Sequence, residues 1–70
     1  MAAYDIKLSN GWIITVNCAN SESEAIERLI TERERMGYEH TSVSEIRRMK
    51  EIYGNGGYGL VAVEGFHQIT

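Results

Sequence analysis

The chain has 70 residues, seven Lys and Arg against ten Asp and Glu, a formal charge of −3, one cysteine and no proline. That length allows one small domain, residues 1–70, and excludes a two-domain enzyme; a chain of this size buries only ~60% of the surface its unfolded form exposes. At 43% apolar and 24% charged residues, the composition is that of a folded globular protein, and its acidic balance excludes a generally basic nucleic-acid binder while leaving room for a local basic stripe.

The first expected element is a hairpin. Tyr4, Ile6 and Leu8 alternate with Asp5, Lys7 and Ser9, and after Asn10-Gly11 the residues Trp12, Ile14, Val16 and Cys18 alternate with Ile13, Thr15 and Asn17. Cross-strand partners share a face, so loop length follows from matching apolar residues. A two-residue loop would set Ile6 opposite Thr15 and Tyr4 opposite Asn17. A three-residue loop, Ser9-Asn10-Gly11, sets Leu8 opposite Trp12, Ile6 opposite Ile14 and Tyr4 opposite Val16. The second register gives one apolar face with Gly11 in the left-handed position of a G1 bulge, and it places Trp12 and Cys18 on the buried side.

A helix is predicted over about residues 22 to 36. Ser21-Glu22-Ser23-Glu24 has the pattern of a capping box, Glu22 and Glu24 suit the positive end of the helix dipole, and Gly37 is a natural stop. Ala25, Ile26, Leu29, Ile30 and Met36 form the stripe expected to lie on the hairpin, and Glu24–Arg28 has the spacing of an ion pair.

Residues 41–53 are compatible with two structures. Val43, Ile46, Met49 and Tyr53 fall at helical spacing behind Ser42 and Glu45, a second capping-box pattern. Thr41-Ser42-Val43 favours a strand, and Leu60-Val61-Ala62-Val63 reads as another, so that a strand here completes a sheet able to stabilise the hairpin. The strand reading requires a bulge near Glu45. The predicted fold is therefore α+β, ββαββ, one antiparallel sheet with one helix on one face; a helix over 43–53 would make it ββααβ. One helix covers one face only, so some of Ile13, Leu60, Val61 and Val63 is expected to remain outside.

No catalytic constellation emerges. Gly54-Asn55-Gly56-Gly57-Tyr58-Gly59 matches G-x-G-x-x-G, but a strand follows where a dinucleotide fold needs a helix, so it reads as a flexible hairpin loop. Cys18, His40 and His67 lack paired ligand spacing, and a Cys18–His67 pair lacks an acid or an oxyanion motif; no enzyme activity, metal or cofactor is expected. Two surfaces suit a partner. Arg47, Arg48 and Lys50 beside Tyr53 and Tyr58 place charge next to aromatic surface, the residue types enriched at interface centres. The alternative is the acidic helix face of Glu24, Glu27 and Glu34. No apolar run reaches the ~18 residues of a membrane span, no charged-then-apolar leader is seen, and a lone cysteine suits a reducing compartment, so the expectation is a cytoplasmic protein with no membrane contact.

The run YDIKLSNGWIITVNCANSESEAIERLI, the glycine stop, and Ser42-Val43-Ser44-Glu45-Ile46 resemble, as a pattern, the small phage-encoded anti-CRISPR proteins built from one helix on a short antiparallel sheet. That resemblance implies a non-enzymatic inhibitor that binds a host defence complex of the CRISPR type and blocks nucleic-acid access or effector recruitment. The competing expectation is a small nucleic-acid-binding or regulatory module using the Arg47–Lys50 stripe, as a monomer or a homo-oligomer.

Overall fold

A computed structural model describes residues 2–69. Its elements are β1 (Ala2–Leu8), β2 (Ile13–Ala19), α1 (Glu22–Arg35), β3 (Val43–Gly54), β4 (Gly57–Ala62) and β5 (His67–Gln68). The strands form one antiparallel sheet in the order β2-β1-β3-β4, with β5 also paired to β3, and α1 lies on one face across β1 and β2. This is the expected α+β ββαββ arrangement with a short fifth strand added. Residues 43–53 are strand, because β1 needs a partner on its second edge as well as on its first.

The first hairpin has the three-residue loop. Tyr4 pairs with Val16 and Ile6 with Ile14, the Leu8 N–H donates to the Trp12 carbonyl at 2.7 Å, and Gly11 sits at φ 93°. Only glycine enters that region without strain, and the turn it permits fixes the β1–β2 register. β1 then pairs with β3 so that Ile6 stands between Ile14 and Ile46. Ile6 and Ile46 are fully buried, with Tyr4, Leu8, Val16, Ala19, Ala25 and Leu29 around them.

Two bulges keep apolar residues on the helix side. In β3 the register shifts between Glu45 and Val43, leaving Ser44 as the extra residue, next to the position where a bulge was expected. In β2, Asn17 and Cys18 together oppose the single residue Ala3. This second bulge reverses the alternation, so Ala19 is buried while Cys18 is exposed at φ 58°, correcting the expectation that Cys18 ends the strand on the apolar face. The carbonyls it frees at Asn17 and Cys18 accept from Arg28 Nη1 at 2.9 and 3.1 Å. Arg28 thus braces the bulge and makes no ion pair with Glu24.

Both helix ends are closed by the sequence signals. Ser21 Oγ accepts from the Glu24 N–H at 3.1 Å, and the Glu24 carboxylate reaches back to the Asn20 N–H. At the other end Gly37, at φ 96°, donates to the Glu34 carbonyl and Tyr38 to that of Arg33, the two bonds of a Schellman motif. Ala25 and Leu29 are buried and Ile26 and Ile30 half-buried, but Met36 is 70% exposed and Trp12 60%, against expectation. The last turn of the helix buries no residue, and Trp12 at the hairpin end is left largely uncovered.

Gly11→Val should lower stability by about 1–2 kcal/mol in urea denaturation, because a β-branched residue is forced to positive φ where no side-chain clash exists. Leu29→Ala should cost roughly 2–5 kcal/mol in the same measurement, a large share of the stability of so small a domain.

Candidate interaction surface

β3 is longer than its neighbour. The β1 ladder ends at Ala3↔Met49, whereas β3 continues to Gly54 paired only with β4. The result is a two-stranded arm, Lys50–Val61, extending beyond the helix-covered core and contributing to a molecule 42 Å long and only 24 × 21 Å across. Its tip is a tight turn: Asn55 and Gly56 have φ 45° and 77°, the signature of a type I′ hairpin. The glycine run is therefore not a flexible loop; only Asn55 and Gly56 turn, and Gly57, Tyr58 and Gly59 belong to β4.

Alternation along the arm divides the sequence-predicted contact residues between two faces. Arg48, Lys50 and Ile52 lie on the helix side of the sheet, in register with Ile46, and Val61 joins them opposite Lys50. Arg47, Met49, Glu51 and Tyr53 lie on the other side, joined by Ala62, Leu60 and Tyr58 opposite the last three. Arg48 and Lys50 thus do not share a face with Arg47, Tyr53 and Tyr58, and the expected stripe is split.

Tyr53 and Tyr58 do come together. They are a cross-strand pair with ring centroids 5.6 Å apart and planes tilted by 47°, and they are 74% and 58% exposed. Tyr53 donates its hydroxyl to Glu51 Oε2 at 2.7 Å. That hydrogen bond, and secondarily the carboxylate charge, raises the Tyr53 phenol above its ordinary pKa, so Tyr53 stays neutral throughout the physiological range.

Arg47 has a different task. Its Nε and Nη2 donate to Oδ2 of the buried Asp5 at 3.0 and 2.8 Å, and Thr15 Oγ1 donates to Asp5 Oδ1 at 2.6 Å. Phe66 lies over this pair, with Arg47 Cζ 4.3 Å and Lys7 Nζ 4.5 Å from its ring centre, and Lys7 also pairs with Glu45 at 3.4 Å. The sheet face away from α1 is therefore closed by a charged network under an aromatic ring. Sequence reasoning gave no sign of it, because Asp5, Lys7 and Arg47 look like ordinary solvated positions of alternating strands. Of the acidic alternative, Glu24 serves the helix cap, while Glu27 and Glu34 are exposed two helical turns apart.

β4 is also the outer strand of the arm. Gly57-Tyr58-Gly59-Leu60-Val61-Ala62 contains no charged residue and no proline, the devices that usually blunt an open strand edge. The Val63 N–H donates inward to the Arg48 carbonyl, so by alternation the N–H groups of Tyr58, Leu60 and Ala62 point outward, away from β3. The arm thus offers aromatic surface, apolar surface and an unpaired backbone edge in one place. Comparison with protein-family models, with curated proteins and with solved structures finds no match to this chain.

Asp5→Ala should destabilise the domain by on the order of 2–3 kcal/mol in thermal or urea unfolding, since it strands the Arg47 guanidinium under Phe66. The double variant Asp5→Leu with Arg47→Met should recover most of that loss, because removing both charges removes the desolvation cost along with the attraction.

Proposed function

We propose that this chain is a non-enzymatic binding protein that docks stoichiometrically on a protein partner through the β3–β4 arm. The observation that carries the reading is the arm itself. A two-stranded ribbon is marginal in water, yet this one projects past the core with both faces and both edges uncovered. Ile52, Tyr53, Tyr58 and Val61 are all exposed on it. Patches and edges of that kind are characteristic of partner sites. The resemblance to phage anti-CRISPR proteins makes a host defence complex the partner of choice, with the arm obstructing nucleic-acid access or effector recruitment.

Within this reading the contact residues are Tyr53, Tyr58 and Leu60, flanked by Arg48 and Lys50 on the reverse face, and Arg47 supports the sheet from within. A direct nucleic-acid contact would instead rest on Arg48 and Lys50, two exposed cations that share a face of β3.

The discriminating measurement is capture of the partner complex by the intact chain before and after nuclease treatment, with folding of each variant checked by circular dichroism. Tyr53→Ala or Tyr58→Ala should lower the melting temperature by only a few degrees and weaken binding by about thirtyfold, the scale of a loss of on the order of 2 kcal/mol at an interface hot spot. Leu60→Pro should likewise abolish binding with the intramolecular ladder kept, since the amide it removes faces outward. Loss confined to Arg48→Glu with Lys50→Glu, together with salt-sensitive binding to naked DNA or RNA, would establish the nucleic-acid reading instead. Loss confined to Glu27→Lys with Glu34→Lys would move the contact to the helix.

A further inference from the structure

Three parts of the chain that are remote in sequence converge beside the middle of β3. Glu22 is the first residue of α1, Glu64 lies in the turn after β4, and His67 opens β5. A carboxylate oxygen from each glutamate and an imidazole nitrogen lie within 4.8 Å of one another. His67 Nε2 is 3.0 Å from one Glu22 oxygen and 3.2 Å from the other, so this ring nitrogen is aimed into the cluster. Glu64 is oriented from outside it, its Oε1 accepting from the Arg48 backbone N–H at 3.3 Å.

The electrostatics of this point are unbalanced. Among the described residues neither Glu22 nor Glu64 has a lysine or arginine salt-bridge partner. Two carboxylates therefore meet a single imidazole. Two acids alone would simply turn toward solvent. The imidazole nitrogen pointed at them adds a directional nitrogen ligand, and one nitrogen with two carboxylate oxygens is a donor set for a borderline first-row divalent cation. Zinc binds such atoms at about 2.0–2.2 Å, which sets tetrahedral ligand atoms about 3.4 Å apart. The His67–Glu22 separations already approach that edge, and rotation of two accessible glutamate side chains closes the rest. Magnesium and calcium, which demand six or more oxygens, are poorly matched.

We propose that Glu22, Glu64 and His67 form a zinc-type divalent cation site, completed by water, that fastens the C-terminal segment to the first turn of α1. The consequence is structural. β5 holds to β3 through only two paired residues, yet the segment it begins carries Ile69 onto the core beside Ile46. A metal bridge between residues 45 apart restricts the unfolded chain and secures that cover.

The test is titration of the metal-free full chain with Zn²⁺ at pH 7.5, followed by calorimetry and thermal denaturation. One ion should bind per chain, with a rise in melting temperature on the order of 5 °C once zinc is well above its dissociation constant. Co²⁺ should give the visible absorption of a four-coordinate nitrogen–oxygen site, and Mg²⁺ should give no shift. His67→Ala should abolish the effect and Glu64→Gln weaken binding by about tenfold or more, while Cys18→Ser and His40→Ala leave it intact. Absence of saturable binding to the native chain, equal binding by His67→Ala, or loss of binding in Cys18→Ser would each overturn the proposal.

Discussion

The row of isoleucines across the sheet, Ile14, Ile6 and Ile46, is the constraint from which the rest of the structure follows. Ile6 is fully buried because both of its neighbours present a branched apolar side chain on the same face, and a slip of one residue on either side would replace them by Thr15 or Arg47. A register slip would therefore put a polar group under the helix, where an unpaired one costs several kcal/mol. The three-residue turn at Gly11 and the bulge at Ser44 are the local adjustments that let this row form. The bulge at Asn17 and Cys18 adjusts the far end, turning Ala19 inward just before the chain enters the helix.

With the row in place, each sheet face has its own cover. α1 supplies Ala25 and Leu29 over β1 and β2, and Ile69 from the C-terminal segment packs beside β3, where the helix does not reach. The opposite face is closed by the Asp5–Arg47 pair, Thr15 and Phe66 rather than by a second apolar layer. Asp5 is the only buried charged residue among those described, and it has partners on both oxygens. Such a network holds β1 to β2 and β3 by side chains as well as by the ladder, at little net gain over an apolar equivalent.

This economy separates the supporting part of the molecule from the presenting part. Apolar burial and the charge network are concentrated in the half containing β1, β2 and α1, and beyond Met49 the chain carries two strands with nothing packed on either side. The arm draws its order from three sources: continuity with β3, the tight Asn55-Gly56 turn and the Tyr53–Tyr58 pair. Its low local density of packing makes it the part best able to adjust to another surface. The proposed cation site lies at the base of the arm, where Glu64 accepts from the Arg48 N–H, and acts on the segment whose loss would uncover Ile46.

The sequence by itself determined those features that depend on neighbours a few residues apart. The Ser21–Glu24 cap, the Gly37 stop, the Gly11 turn and the pairing of Tyr4 with Val16 are local, since each follows from backbone preference or from the period of two along adjoining strands. Even the Asn55-Gly56 turn was present in the letters, hidden inside a motif with a different meaning. What only the tertiary structure decided was everything requiring distant segments to meet. Residues 43–53 are strand because β1 offers them an open edge, although their apolar spacing also fits a helix. Arg47 is withdrawn from the surface because Asp5 lies beside it across the sheet, 42 residues away. Cys18 is turned outward by a bulge that one strand cannot reveal without its partner. Glu22, Glu64 and His67 have no spacing that suggests a common point. Local signals are energies of one turn or one pair and can be read from short stretches, whereas burial, face and charge partner are set by the summed packing of the whole chain.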